Sequence, residues 1–127
     1  MKRVTGLGGV FFKSKNPEKL KSWYATHLGI ESGEHGGGFH WREADNPEEK
    51  GFTAWSVFEQ SSNYFHPHEG NFMLNYRVEN LEELLKLLTK EGIQTVGEME
   101  TYSYGKFAWI LDPEGRKIEL WEPGEPL

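Results

Sequence analysis

The sequence predicts an α+β fold: two tandem βαβββ units whose curved, mostly antiparallel sheets surround a cleft, with the helices outside. Three observations carry this expectation. Strand and helix patterns run in the order strand, helix, three strands, and the order then restarts. A faint internal repeat links the two halves. The chain has 127 residues, about one domain's worth. A single unit of about 60 residues would bury too little surface to be stable alone, whereas two side by side can bury a core. Residues 1–127 are therefore read as one domain, with a first unit at about residues 5–60 and a second at about 71–123.

The elements follow in order. Leu7 to Lys13 (LGGVFFK) reads as a strand. Asn16-Pro17-Glu18 starts a helix, with Asn as the cap, Pro in the first turn and an acid beside it. Leu20, Trp23, Tyr24, Ala25 and Leu28 recur at helical spacing, and Gly29 ends the run. A second strand is expected to start at Ile30 and to break at Gly36-Gly37-Gly38. Phe39 and Trp41 alternate with His40 and Arg42 in a third strand. After the turn signal Asp45-Asn46-Pro47-Glu48, Phe52 to Glu59 forms a fourth. Ser61 to Gly70 (SSNYFHPHEG) reads as a linker or long loop.

The second unit repeats the scheme. Asn71 to Val78 is a strand. Asn80 caps a helix with Leu81, Leu84, Leu85 and Leu88 on one face, ended by Gly92. Ile93 to Val96 begins another strand, Phe107 to Leu111 the next, and Asp112-Pro113-Glu114-Gly115 turns into the last, Lys117 to Trp121. The repeat pairs Gly29-Ile30 with Gly92-Ile93, Phe39-His40-Trp41 with Phe107-Ala108-Trp109, and Phe52-Thr53-Ala54-Trp55 with Ile118-Glu119-Leu120-Trp121.

Composition narrows the function. There are no cysteines, which excludes disulfides, thiolate nucleophiles and Cys-ligated zinc. The net charge is −6, with no Lys/Arg cluster, so nucleic acid is not an expected partner. No apolar run approaches the roughly 20 residues that span a bilayer. No membrane association is expected, and the chain reads as soluble and cytoplasmic. Five Trp, five Tyr and eight Phe supply aromatic surface for a core and for small-molecule pockets.

The element order, His27-Leu28-Gly29-Ile30-Glu31 after the first helix, and WILDPEGRKIELWEP at the end together resemble the vicinal oxygen chelate superfamily. That group includes glyoxalase I, bleomycin-resistance proteins and extradiol dioxygenases. The resemblance covers nearly the whole chain, and its most specific part is an aromatic strand, Asp-Pro-x-Gly and a strand carrying Glu. It implies a divalent metal in the cleft, held by His or Glu from the first and last strands of each unit. Carried over by position, Glu119 matches a ligand. The other three places fall at Gly9, Thr53 and Met73, none of which suits a hard divalent ion; a register slip to Gly8, Val10, Phe72 or Leu74 is no better. One carboxylate does not make a zinc site. The resemblance then implies a metal-free member, without a cofactor, that binds a small organic molecule in an aromatic cleft and forms a homodimer. The alternative is a glyoxalase I-type lyase or dioxygenase-like enzyme, metal-dependent or using Glu119 as general base.

Glu119 is the candidate catalytic residue, as a cleft carboxylate that binds a ligand or moves a proton. It could equally be structural, paired with Lys13 or Arg77, or solvated. Strand parity puts Phe11 and Lys13 on one face and Met73, Asn75 and Arg77 on another. These are candidate ligand-binding residues if both faces look into the cleft. The opposite parity would put Phe12, Leu74 and Tyr76 there. Thr53, Trp55, Trp109 and Trp121 complete the candidate cleft, with a plain core role the alternative for the tryptophans. His66-Pro67-His68 resembles half a metal site, with an ordinary surface loop as the alternative. His27, His35 and His40 read as surface or half-buried histidines, with His40 within possible reach of the cleft. Gly36-Gly37-Gly38 lacks the helix and Lys-Ser/Thr of a phosphate loop and reads as a turn or a lid.

Overall fold

The computed structural model describes residues 2–34 and 36–124. His35 lies outside them. The described elements, in chain order, are β1 (Val4–Ser14), α1 (Pro17–Leu28), β2 (Gly37–Arg42), β3 (Lys50–Glu59), β4 (Phe72–Val78), α2 (Leu81–Lys90), β5 (Glu100–Tyr102), β6 (Gly105–Leu111) and β7 (Lys117–Pro123). The strands form one open sheet of seven in the order β2-β3-β1-β4-β7-β6-β5. The first three strands come from the first unit and the last four from the second. The units join edge to edge where β1 runs antiparallel to β4. Pairing is parallel for β1–β3 and β4–β7 and antiparallel elsewhere.

Both helices begin as their caps dictate. The Asn16 side chain accepts from the Lys19 amide, and the Asn80 side chain accepts from the Glu83 amide at 3.2 Å. Gly29 follows α1 at φ 70° and Gly92 follows α2 at φ 80°, left-handed positions that suit glycine. Helix α2 buries Leu81 and Leu84 against Val78, Ala108 and Leu120. Helix α1 sits more loosely. Only Pro17 is buried, and Tyr24 meets the edges of Phe12 and Trp55. The opposite face of the sheet carries a second core of Phe11, Phe65, Met73 and Trp109.

Two expected strands are absent among the described residues. Ile30 to Ser32 is irregular, with only a Gly33–Gly36 bridge beyond it, and the glycines at 37 and 38 belong to β2. Ile93 to Val96 makes a single bridge, Thr95 to Ile110, and the short β5 follows instead. In both places the segment leaves a helix through a left-handed glycine. Its first amide is used to close that helix: Ile30 donates to the Tyr24 carbonyl and Ile93 to the Leu88 carbonyl. That amide is lost to any ladder, and in the second segment pairing with β6 resumes only beyond it, with Val96 donating to the Trp109 carbonyl and Leu111 to the Gln94 carbonyl.

Candidate functional site

Strands β4 and β7 run parallel at the centre of the sheet, with Asn75 opposite Glu119 and Arg77 opposite Trp121. Parallel partners project to the same side. Met73, Asn75, Arg77, Trp109, Glu119 and Trp121 therefore share the face away from α2, as does Phe11, the partner of Met73 across β1.

Glu119 is 2% exposed. Its Oε1 accepts from the Asn75 amide nitrogen at 2.6 Å. Its Oε2 accepts from the Trp109 indole at 2.9 Å and from the Tyr64 hydroxyl. Three donors converge on one carboxylate, the arrangement that allows a charge to be buried. Burial, and then the charge of Glu119, push the Tyr64 phenol far above its ordinary range. Asn75 has its remaining amide oxygen buried without a hydrogen-bond partner. That oxygen lies so near Gly8 that a Cβ there would come within 2.1 Å of it. Glycine at position 8 is thus what lets Asn75 reach under the β1 register shift.

Tyr64 and Phe65 come from the segment between the units, and they close the cleft over Glu119. Phe65 is 0% exposed, packed on Phe58, and Tyr64 stacks on Phe58 at 5.6 Å. Lys117 fastens this strap. Its ammonium donates to the Tyr64 carbonyl at 2.7 Å and lies over the Tyr64 and Trp109 rings at 5.2 and 5.5 Å. Burial holds the Lys117 ammonium below its usual pKa. Lys13 caps the other side, 5.2 Å above the Phe65 ring.

One rung further along the same strand pair, the face opens. A groove of about 830 Å³ lies between the β2–β3 hairpin and the ends of β4 and β7. Its walls include His40, Phe52, Tyr104 and Trp121, and Arg77 is in its floor. Arg77 is 8% exposed. It donates to Glu43 at 3.2 Å, Glu49 at 3.3 Å and the Lys50 carbonyl at 3.4 Å, and its guanidinium lies 5.4 Å from the Trp41 ring. The Trp121 indole donates to the Tyr104 carbonyl at 3.3 Å, which fixes one wall.

The sequence-derived candidates thus separate into three groups. Glu119, Asn75 and Trp109 form the buried polar cluster, with Phe11 and Met73 packed beside it and Lys13 over the strap. Arg77 and Trp121 line the groove. Thr53 and Trp55 lie elsewhere. Trp55 packs between Phe12 and Tyr24 of α1, on the helix side. The Thr53 hydroxyl donates to the Leu7 carbonyl at 2.5 Å and accepts from the Trp41 indole at 2.8 Å. Thr53, the repeat partner of Glu119, does not face the Glu119 cluster. The ladder sets Ala54 opposite Gly9 and Ser56 opposite Phe11, and an odd offset turns a strand over. Along β4 the partner of Glu119 is Asn75, two residues beyond Met73 and so on the same face.

The chemistry of this cluster does not fit a divalent metal. Glu119 is surrounded by N–H and O–H donors, whose hydrogens point where a cation would have to sit. The adjoining strands offer Gly9, Phe11, Ala54 and Ser56. Among the described residues no three His, Cys, Asp or Glu side chains converge. His66 is exposed, His68 is half-buried, and His27 lies against Trp23. The sequence reading missed Tyr64, Phe65 and Lys117. The adjacent aromatic pair inside an otherwise polar stretch was the available signal.

This arrangement is that of the glyoxalase-like, or vicinal oxygen chelate, fold. No protein-family model and no curated protein matches the sequence. Solved structures do match it. Methylmalonyl-CoA epimerase from Mycobacterium tuberculosis is 20% identical with a TM-score of 0.63, over 98% of this chain and 92% of that one. Streptomyces coelicolor methylmalonyl-CoA epimerase (Q60A), in complex with 2-nitronate-propionyl-CoA, gives 0.69 at 11% identity, over 96% and 99%. The hypothetical protein BH1468 from Bacillus halodurans C-125 gives 0.62 at 13% identity, over 95% and 96%. At these identities the likeness establishes the fold and leaves activity open. Among the described residues no helix is long and apolar enough to cross a membrane.

Proposed function

We propose that this chain binds a small organic molecule in the groove beside Arg77 and Trp121, without a divalent metal. The groove carries the reading. Its volume of about 830 Å³ falls in the size range of small-molecule sites, and it sets the aromatic rings of Phe52, Tyr104 and Trp121 among many charged side chains, Arg77 and Glu49 included. The Glu119 cleft is a poorer host. Tyr64 and Phe65 already fill it, and both carboxylate oxygens are engaged. In this reading Glu119 is a positioning residue that holds β4, β6 and the strap together beneath the binding face.

The test is a fragment screen on the full chain, read by NMR shifts of backbone amides and indole N–H groups. Hits should move resonances of Trp121, Tyr104, Phe52 and His40, and Trp121→Ala should weaken them at least ten-fold. A ligand that binds with those resonances unmoved would place the site elsewhere.

A further inference from the structure

The proposed groove contains one feature that small-molecule binding in general does not explain. Its floor holds a buried arginine whose partners fit it loosely. Charge-assisted hydrogen bonds ordinarily lie near 2.7–2.9 Å. Those from Arg77 are 3.2, 3.3 and 3.4 Å. Two carboxylates that face each other across the β2–β3 turn approach it one oxygen each, so neither forms the two-pronged pair that guanidinium geometry favours. The Glu49 side chain is 55% exposed, whereas that of Glu43 is 20% exposed. The exposed end of such a pair is screened by water, so Glu49 is held weakly. Glu49 can therefore move into water at little cost while Glu43 keeps Arg77 anchored. The Trp41 ring also lies against the guanidinium, 5.4 Å from it, independently of Glu49.

We propose that Arg77 is the anchor for a ligand carboxylate and that Glu49 is a built-in stand-in for it. The ligand class is a small organic acid with a flat apolar body. Its carboxylate would replace Glu49 at Nη2, and its body would lie along Phe52, Trp121 and Tyr104. The other groove acids, Glu43, Glu48, Glu79 and Glu122, oppose an anion. They would set a modest affinity and select a single negative charge over two. This inference rests on the groove being the binding site.

The test compares benzoate, benzyl alcohol and benzylamine, which share a ring and differ in charge, by NMR titration of the full chain. Benzoate should bind at least ten-fold more tightly than the other two. Glu49→Gln removes the competing charge and should tighten benzoate three- to ten-fold while leaving benzyl alcohol unchanged. Arg77→Lys keeps the charge, loses the fork, and should weaken benzoate at least ten-fold. Glu49→Gln decides the matter even if the Arg77 variant does not fold, because Glu49 is largely exposed. Equal or tighter binding of benzylamine or benzyl alcohol at the same resonances would overturn the carboxylate anchor and leave the groove standing. An unchanged benzoate affinity in Glu49→Gln would do the same. Failure of all three probes to bind would remove the groove as well.

Discussion

Removing the Glu119 carboxylate should cost a large part of the protein's stability. In Glu119→Ala, the Asn75 amide and the Trp109 indole lose their shared acceptor, and both residues are buried. Each stranded donor costs roughly 1–3 kcal/mol. Tyr64 is only half-buried and can turn its hydroxyl to water, so it adds less. The two donors together cost about 2–6 kcal/mol, against a total of roughly 5–15 kcal/mol for a natural domain. Glu119→Gln keeps the shape and one acceptor oxygen but turns an N–H toward a donor, which should cost about 1–3 kcal/mol. Urea unfolding followed by tryptophan fluorescence and far-UV circular dichroism measures both. With a slope of roughly 1–3 kcal/mol per molar, a loss of about 3 kcal/mol lowers the midpoint by about 1–3 M. Unfolding of both variants within about 0.5 kcal/mol of the parent, the range of an ordinary surface change, would contradict a structural role for this carboxylate.

Three further outcomes follow from the same geometry. The raised Tyr64 pKa disfavours phenolate in the folded state, so this contribution is intact below the unfolded tyrosine value of about 10 and is lost as pH climbs above it. Alkaline unfolding above that pH should be shallower in Tyr64→Phe, and a phenolate absorbance titration of the parent should show one tyrosine ionising only as the chain unfolds. Phe65→Ala empties a fully buried site and should cost about 3–5 kcal/mol by urea unfolding, with faster proteolysis in the 61–70 segment. Asn80→Ala removes the α2 cap and should cost about 1 kcal/mol.

Much of the fold was legible because local chemistry and global architecture agree. Asn-capped helices ending at Gly29 and Gly92, and the repeated element order, suffice for two units. The two missing strands show where local pattern gives way: Ile30 and Ile93 look like strand starts, yet their amides close the preceding helices. The shared face of the candidate residues was legible by parity along β4 and β7, which put Asn75, Arg77, Glu119 and Trp121 on one side of the sheet. It was misread along β3, where letter matching set Trp55 beside the cleft and the ladder turned it toward α1. No periodicity marks the Tyr64–Phe65 strap, since an irregular segment has none. Its place follows from long-range contacts with Trp109 and Glu119, beside the nearby Phe58.

The most direct test of the account uses the five tryptophan indoles as internal reporters during titration with benzoate. Trp121 lines the groove, whereas Trp109 is buried with its N–H held by Glu119. The account predicts that the Trp121 indole resonance moves with saturable dependence while Trp109 stays in place. Movement of Trp109 with Trp121 unchanged would show the ligand displacing Tyr64 from Glu119, and would contradict the assignment of binding to the groove.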